Sequence, residues 1–203
     1  MTEEREYSPK RFAISGVYCP SCQHKLEREA KWCEKCGFTG ARTLEMFGDT
    51  PPPLLPILDV ADVWSEKEQR NIKTSVAGIK KRYPQFHWRI CAVALPPETG
   101  QPVFGFWLMN VCPLLAEESP EDREWTILLL IDTNNGRASV TAGYRAEVWL
   151  TDEMWNQSLV ATAETFHAGH TGKAVVQFLN HAGRLLEEAW KRAQKQKSAK
   201  PDP

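Results

Sequence analysis

The sequence predicts an α/β domain standing behind a small metal-binding module, and three stretches carry that prediction. Residues 126–131 (TILLLI) are an unbroken apolar run of strand length, the pattern of a strand buried on both faces beneath helices. Val175, Phe178, Leu179, Ala182, Leu185, Leu186 and Ala189 keep one apolar stripe, as a long amphipathic helix does. Cys19-Pro20-Ser21-Cys22 and Cys33-Glu34-Lys35-Cys36 are paired C-x-x-C sequences separated by ten residues. Two tight turns can present such thiols tetrahedrally to one metal ion.

In chain order, residues 1–45 form the metal module, with a polar start over 1–16 that is expected to be flexible. Gly37 suits the second knuckle, where the chain must turn sharply with its amides aimed at sulfur. His24 in place of one thiolate, or a pair of redox dithiols, are the alternatives. A redox C-x-x-C opens a helix after a strand, and nothing apolar of that kind precedes either pair. The two pairs resemble the short bacterial zinc ribbon, which implies one structural Zn²⁺ on Cys19, Cys22, Cys33 and Cys36. Around them Lys25, Arg28, Lys31, Lys35 and Arg42 are interleaved with Glu27, Glu29 and Glu34, the charge mixture of a solvated surface or partner-binding module. Residues 46–56 contain Pro51-Pro52-Pro53 and read as a semi-rigid linker that few contacts should cross.

The second domain spans residues 57–195, ahead of a disordered tail at 196–203. It opens at Ile57-Leu58-Asp59-Val60. Ser65-x-x-Glu68 is a capping box, and Ile72, Val76 and Ile79 mark one helical face up to about Tyr83, before Pro84. Residues 87–95 are a strand. Phe104, Leu108, Val111 and Leu115 have helical spacing, so residues 103–115 are a short buried helix despite Gly105 and Pro113. An acidic loop, 117–124, leads to the central strand. Residues 133–136 (TNNG) are a turn, and 137–141 alternate polar with apolar, a half-exposed strand folded back as a hairpin. Asp132 is expected to cap that turn. A helix starts at Thr151-Asp152 and runs to about 164, residues 166–172 break it, and the amphipathic helix follows with a basic tail over 191–200.

The succession of apolar strand, polar turn, second strand, Gly143-Tyr144-x-x-Glu147 and Leu150-Thr151-Asp152 resembles the TPM domain, the family that includes a thylakoid-lumen acid phosphatase. The resemblance extends more loosely from about residue 58 to 190. It implies a three-layer α/β/α fold and a cation- or phosphate-handling cleft, with Asp59, Glu147 and Asp152 at positions where the family keeps acids. The sequence departs from the pattern twice. Glu124-Trp125-Thr126 stand where the family has Asn-Asp-Gly, and Arg145-Ala146 replace Gly-Leu. Arg145 would set a positive charge beside Glu147 and work against a cation there. Asp152 also suits a helix start and Asp59 a capping role, so Glu147 is the strongest single candidate.

Other chemistries find little support. A calcium loop starting at Asp132 fails, with Arg137 where glycine is required and Gly143 in place of the bidentate glutamate. His167, His170 and His181 form no H-x-x-x-H pair, and Cys91 and Cys112 read as core thiols. Lys plus Arg (25) nearly cancel Asp plus Glu (26), so no global field draws in nucleic acid or an acidic membrane. No apolar run approaches the ~18–20 residues of a membrane span, and the first residues lack a signal-peptide core. A cytoplasmic protein is therefore expected, with cysteines reduced. The functional expectation is a non-catalytic interaction or scaffold protein with a protein partner, a structural Zn²⁺ and a degraded cleft in which Ca²⁺ is doubtful. The alternative is a divalent-metal-assisted phosphate-ester hydrolase.

Overall fold

A computed structural model describes residues 17–27 and 30–198. The expectations for the N-terminal 16 residues, for Arg28 and Glu29, and for residues beyond 198 lie outside it. The module contains a two-stranded antiparallel ladder, β1 (Val17–Tyr18) with β2 (Lys25–Leu26), and then α1 (Gly40–Phe47). The domain follows as β3 (Ile57–Asp59), α2 (Glu66–Arg82), β4 (His87–Val93), α3 (Gln101–Val111), a 3₁₀ turn over Pro120–Trp125 and β5 (Thr126–Asp132). Then come β6 (Arg137–Ala142), α4 (Tyr144–Glu147), α5 (Asp152–Val160), α6 (Ala163–His167) and α7 (Thr171–Ser198).

Most elements begin where local chemistry starts them. The Ser65 amide donates to Glu68 Oε2 at 3.0 Å and the Ser65 hydroxyl accepts from the Glu68 amide, so the expected capping box opens α2. Asp132 Oδ1 accepts from the amides of Leu95, Asn134 and Asn135, and Gly136 at φ 60 closes the hairpin turn. Gly143 is needed for a different reason. A Cβ there would lie 2.4 Å from the Arg123 carbonyl oxygen, because the 3₁₀ turn runs directly against it. Arg123 in turn donates to the carbonyls of Met109 and Cys112 and so closes the C-terminus of α3. The expected helix from 152 to 164 is interrupted at Ala161-Thr162, giving α5 and α6, while α7 continues through the basic stretch to Ser198.

The sheet order is β3-β4-β5-β6, with β3, β4 and β5 parallel and β6 antiparallel to β5. Every residue of β4 and β5 is buried, as the apolar run foretold for β5. Trp88, Ile90, Ile127, Leu129 and Ile131 face one core with Ile72 and Ile79 of α2 and Val175, Phe178 and Leu179 of α7. Cys91, Val93, Leu128 and Leu130 face the other, with Trp107 and Leu108 of α3. The result is a layered helix–sheet–helix domain. Two successive crossovers therefore step the same way across the sheet but lie on opposite faces, so they have opposite hands. One of them departs from the right-handed rule. With both helices on the α2 side, Leu128 and Leu130 would lose their cover.

The linker is not a free spacer. Leu54 is 1 % exposed and its amide donates to the Pro113 carbonyl at 3.0 Å, while Trp107 Nε1 donates to the Gly48 carbonyl at 3.0 Å. Phe38 packs edge-on against Phe106 at 5.7 Å, and Phe47 against Phe104 at 5.2 Å. Cys19 and Cys33 thus share a core with Val103 and Phe106. The cause lies in α3, QPVFGFWLMNV, which is apolar on all sides. Such a helix must be covered all round, and the sheet can cover only one side. The module and linker cover the rest, so the expectation of few contacts across 46–56 is corrected.

Candidate functional site

The four cysteines converge. Their Sγ atoms all lie within 4.8 Å of one another, with Cys19–Cys36 and Cys22–Cys33 each at 3.6 Å. A tetrahedral ion with Zn–S bonds of about 2.3 Å would set its sulfurs roughly 3.8 Å apart, so the set fits one metal ion. Two equivalent turns hold it. In the first, the Gln23 amide donates to the Cys19 carbonyl at 2.9 Å and the Cys19 amide to the His24 carbonyl at 2.8 Å. In the second, Gly37 donates to Cys33 at 2.7 Å and Cys33 to Phe38 at 2.9 Å. The residue after each second cysteine has positive φ, Gln23 at 59 and Gly37 at 69. His24 is outside the ligand set; its counterpart in the other turn is Phe38, the residue docked on α3.

Cys36 and Cys19 differ in acidity. A hydrogen bond from the Phe38 amide brings the Cys36 thiol down to about 7, whereas burial pushes Cys19 up to about 12. Four neighbouring thiolates need a positive charge among them to ionise together. Cys91 and Cys112 are buried away from this set, and burial pushes them up to about 12 and about 11, consistent with core thiols.

The three acids implied by the resemblance do not come together as one group. Asp59 stands at the C-terminal end of β3, in register with Ala92, and its carboxylate accepts from the amides of Val63 at 3.1 Å and Trp64 at 2.9 Å. Glu147 follows the far end of β6, where Ala142 pairs with Ile127. Along the strands the level of Asp59 and that of Ala142 lie four residues apart, roughly 13 Å at about 3.3 Å per residue. Glu147 and Asp152 do interact: burial, and secondarily the Asp152 charge, raise the Glu147 carboxyl to about 7. Glu147 Oε2 is buried with no hydrogen-bond partner. Asp152 lies in the first turn of α5, behind the Thr151 cap. Arg145 does not neutralise Glu147, because its Nε pairs with Glu124 at 2.8 Å. The Trp125 ring packs at 5.3 Å against Phe86 of the core.

A second charged cluster was missed by sequence reasoning. Arg89 and His87 both bond to Glu118 Oε1, the latter at 2.9 Å, while His87 Nε2 lies 3.1 Å from Asp122 and Lys80 stands 3.2 Å from the ring. Glu118 Oε2 also accepts the Leu115 amide at 3.1 Å. Burial works to raise the Glu118 carboxyl, yet the bonded Arg89 and His87 hold it below the usual range. The cluster pins the 115–122 loop onto β4. Its signal was available: two basic residues at alternate positions of a buried strand need acids, and an acidic loop follows. His167 and His170 are exposed, and His181 Nδ1 meets the Ser158 hydroxyl at 3.0 Å between α5 and α7. No metal-competent group forms among the described histidines.

No helix is long and apolar enough to cross a membrane among the described residues. No family model matches the chain, and no curated protein does either. Solved structures do. The N-terminal domain of a protein from P. gingivalis superposes with a TM-score of 0.51 at 12% identity, covering 72% of this chain and 88% of that one. A protein of the psychrophilic bacterium Bizionia argentinensis gives 0.47 at 14% identity, covering 64% of this chain and 86% of its own. The N-terminal domain of a Corynebacterium glutamicum protein gives 0.39 at 11%, covering 64% and 78%. The first of these likenesses shows a shared fold, and the chain is accordingly a layered α/β domain with a four-cysteine cluster in its N-terminal region.

Proposed function

We propose that this chain is a non-catalytic interaction protein, a zinc ribbon packed against a TPM-like domain whose acidic cleft does not assemble a catalytic metal site. The separation of the acids carries the reading. A hard cation takes six to eight oxygens, and with Asp59 committed to two backbone amides at the other end of the sheet, only Glu147 and Asp152 remain as neighbours. The four-thiol site is closed: Zn²⁺ there would have all four positions filled by protein, which is a structural role. Interaction is assigned to the ribbon surface. Tyr18 and Trp32 each precede the first cysteine of a turn, and they are 52% and 58% exposed. Aromatic side chains with one polar atom are favoured anchors of protein interfaces. Lys25, Lys31 and Lys35 alternate there with Glu27 and Glu34, which favours a protein over nucleic acid.

Hydrolysis of an aryl phosphate, with and without Ca²⁺ and Mg²⁺, tests the claim: no turnover above buffer is expected. Metal-dependent turnover that disappears in Glu147→Gln would overturn it in favour of a divalent-metal-assisted phosphate-ester hydrolase. One observation favours that second reading, namely the unpartnered Glu147 Oε2 beside Asp152, with Arg145 held elsewhere. Millimolar Ca²⁺ would then raise the melting temperature by binding the native state alone, and the shift would vanish in Glu147→Gln. We expect no such shift.

A further inference from the structure

We propose that the hollow between the β5–β6 hairpin and helices α5, α6 and α7 binds a medium-length alkyl chain. It encloses about 230 Å³. Its floor is Leu129, Ile131, Val175 and Phe178, each at most 2% exposed, and its rim carries the exposed Asn156, Val160 and His167. The space exists because small side chains meet there: Ala138 of β6, Ala163 of α6 and Ala174 of α7 approach from three directions without filling it. The break between α5 and α6 lies beside it, with Thr162 in its wall.

Water is a poor occupant. A buried water wants two to four polar partners, whereas the floor is hydrocarbon. Thr162, the buried polar residue beside it, spends its hydroxyl on the Leu159 carbonyl at 2.8 Å. Among the described residues, the buried side-chain polar atoms that lack partners all lie elsewhere. An engineered apolar cavity of about 150 Å³ takes benzene, so this one has room on the order of an eight-carbon chain. It is smaller than the roughly 300–1,000 Å³ of sites for larger ligands. Val160, 64% exposed at the rim, gains cover when the chain enters, and a polar head stays outside beside Asn156 and His167. The inference is independent of the metal site and of the cleft acids.

The test titrates the full chain, ribbon metal retained, with n-octanol and with octanoate while the methyl resonances of Leu129, Ile131 and Val175 are followed. Saturable shifts at those methyls are expected with both probes. Ala174→Leu fills the hollow from the α7 side, so affinity should fall about tenfold or more while the melting temperature holds or rises. If that variant does not fold, Ala163→Leu fills the opposite wall and serves the same purpose. Absent or non-saturating shifts in the parent chain, or undiminished binding by a folded filled variant, would overturn the proposal.

Discussion

Replacing Glu147 by Gln should stabilise the protein, and by an amount that grows with pH. The Glu147 carboxyl is raised from its ordinary 4.5 to about 7 by burial and by Asp152. At 1.36 kcal/mol per pH interval that displacement corresponds to about 3 kcal/mol. The side chain is only partly buried, so solvent screening reduces the figure to about 1.5 kcal/mol. The sign follows from proton binding. Below pH 4.5 the group is protonated folded and unfolded, and it costs nothing. Between 4.5 and 7 the unfolded chain releases the proton while the folded protein keeps it, so stability falls as pH rises. Above 7 the full penalty persists. The variant is neutral throughout and escapes this loss. For a chain of this size it should melt about 3–6 °C above the parent at pH 8 and close to it at pH 4. Calorimetry in Ca²⁺- and Mg²⁺-free buffer, with the ribbon metal retained, supplies the comparison, and taking the difference cancels most other titrations. A gap that stays constant with pH, or narrows as pH rises, would refute the reasoning.

Further outcomes are expected. Purified protein should carry about one equivalent of zinc, measured by elemental analysis, and Cys19→Ser with Cys22→Ser, Cys33→Ser and Cys36→Ser should abolish it. Phe38→Ala removes the ring seated on Phe106 and should cost roughly 3–5 kcal/mol in denaturant unfolding; correspondingly, a fragment of residues 54–195 should be aggregation-prone because α3 loses its cover, and a soluble, cooperatively melting fragment would contradict the shared core. Arg89→Ala leaves Glu118 buried without its main partner and should cost roughly 3–5 kcal/mol, while Arg89→Met combined with Glu118→Leu should recover most of that loss.

The sequence by itself determined what local rules decide. The C-x-x-C spacing already contains both cysteine turns, since each is closed by hydrogen bonds spanning five residues or fewer. The Ser65–Glu68 cap, the Asp132 turn and the two-sided burial of β5 belong to the same class. The tertiary structure alone decided the rest. Asp59 and Glu147 are placed by strand register, which sums long-range pairing that no window of sequence contains, and it sends them to opposite ends of the sheet. The all-apolar α3 announced that it needs cover on every side, but only the packed chain shows the cysteine module and linker supplying it. The opposite hands of the two crossovers arise in the same way. Both faces of β4 and β5 must be covered, and that demand on the whole sheet overrides the preference of a single β–α–β unit.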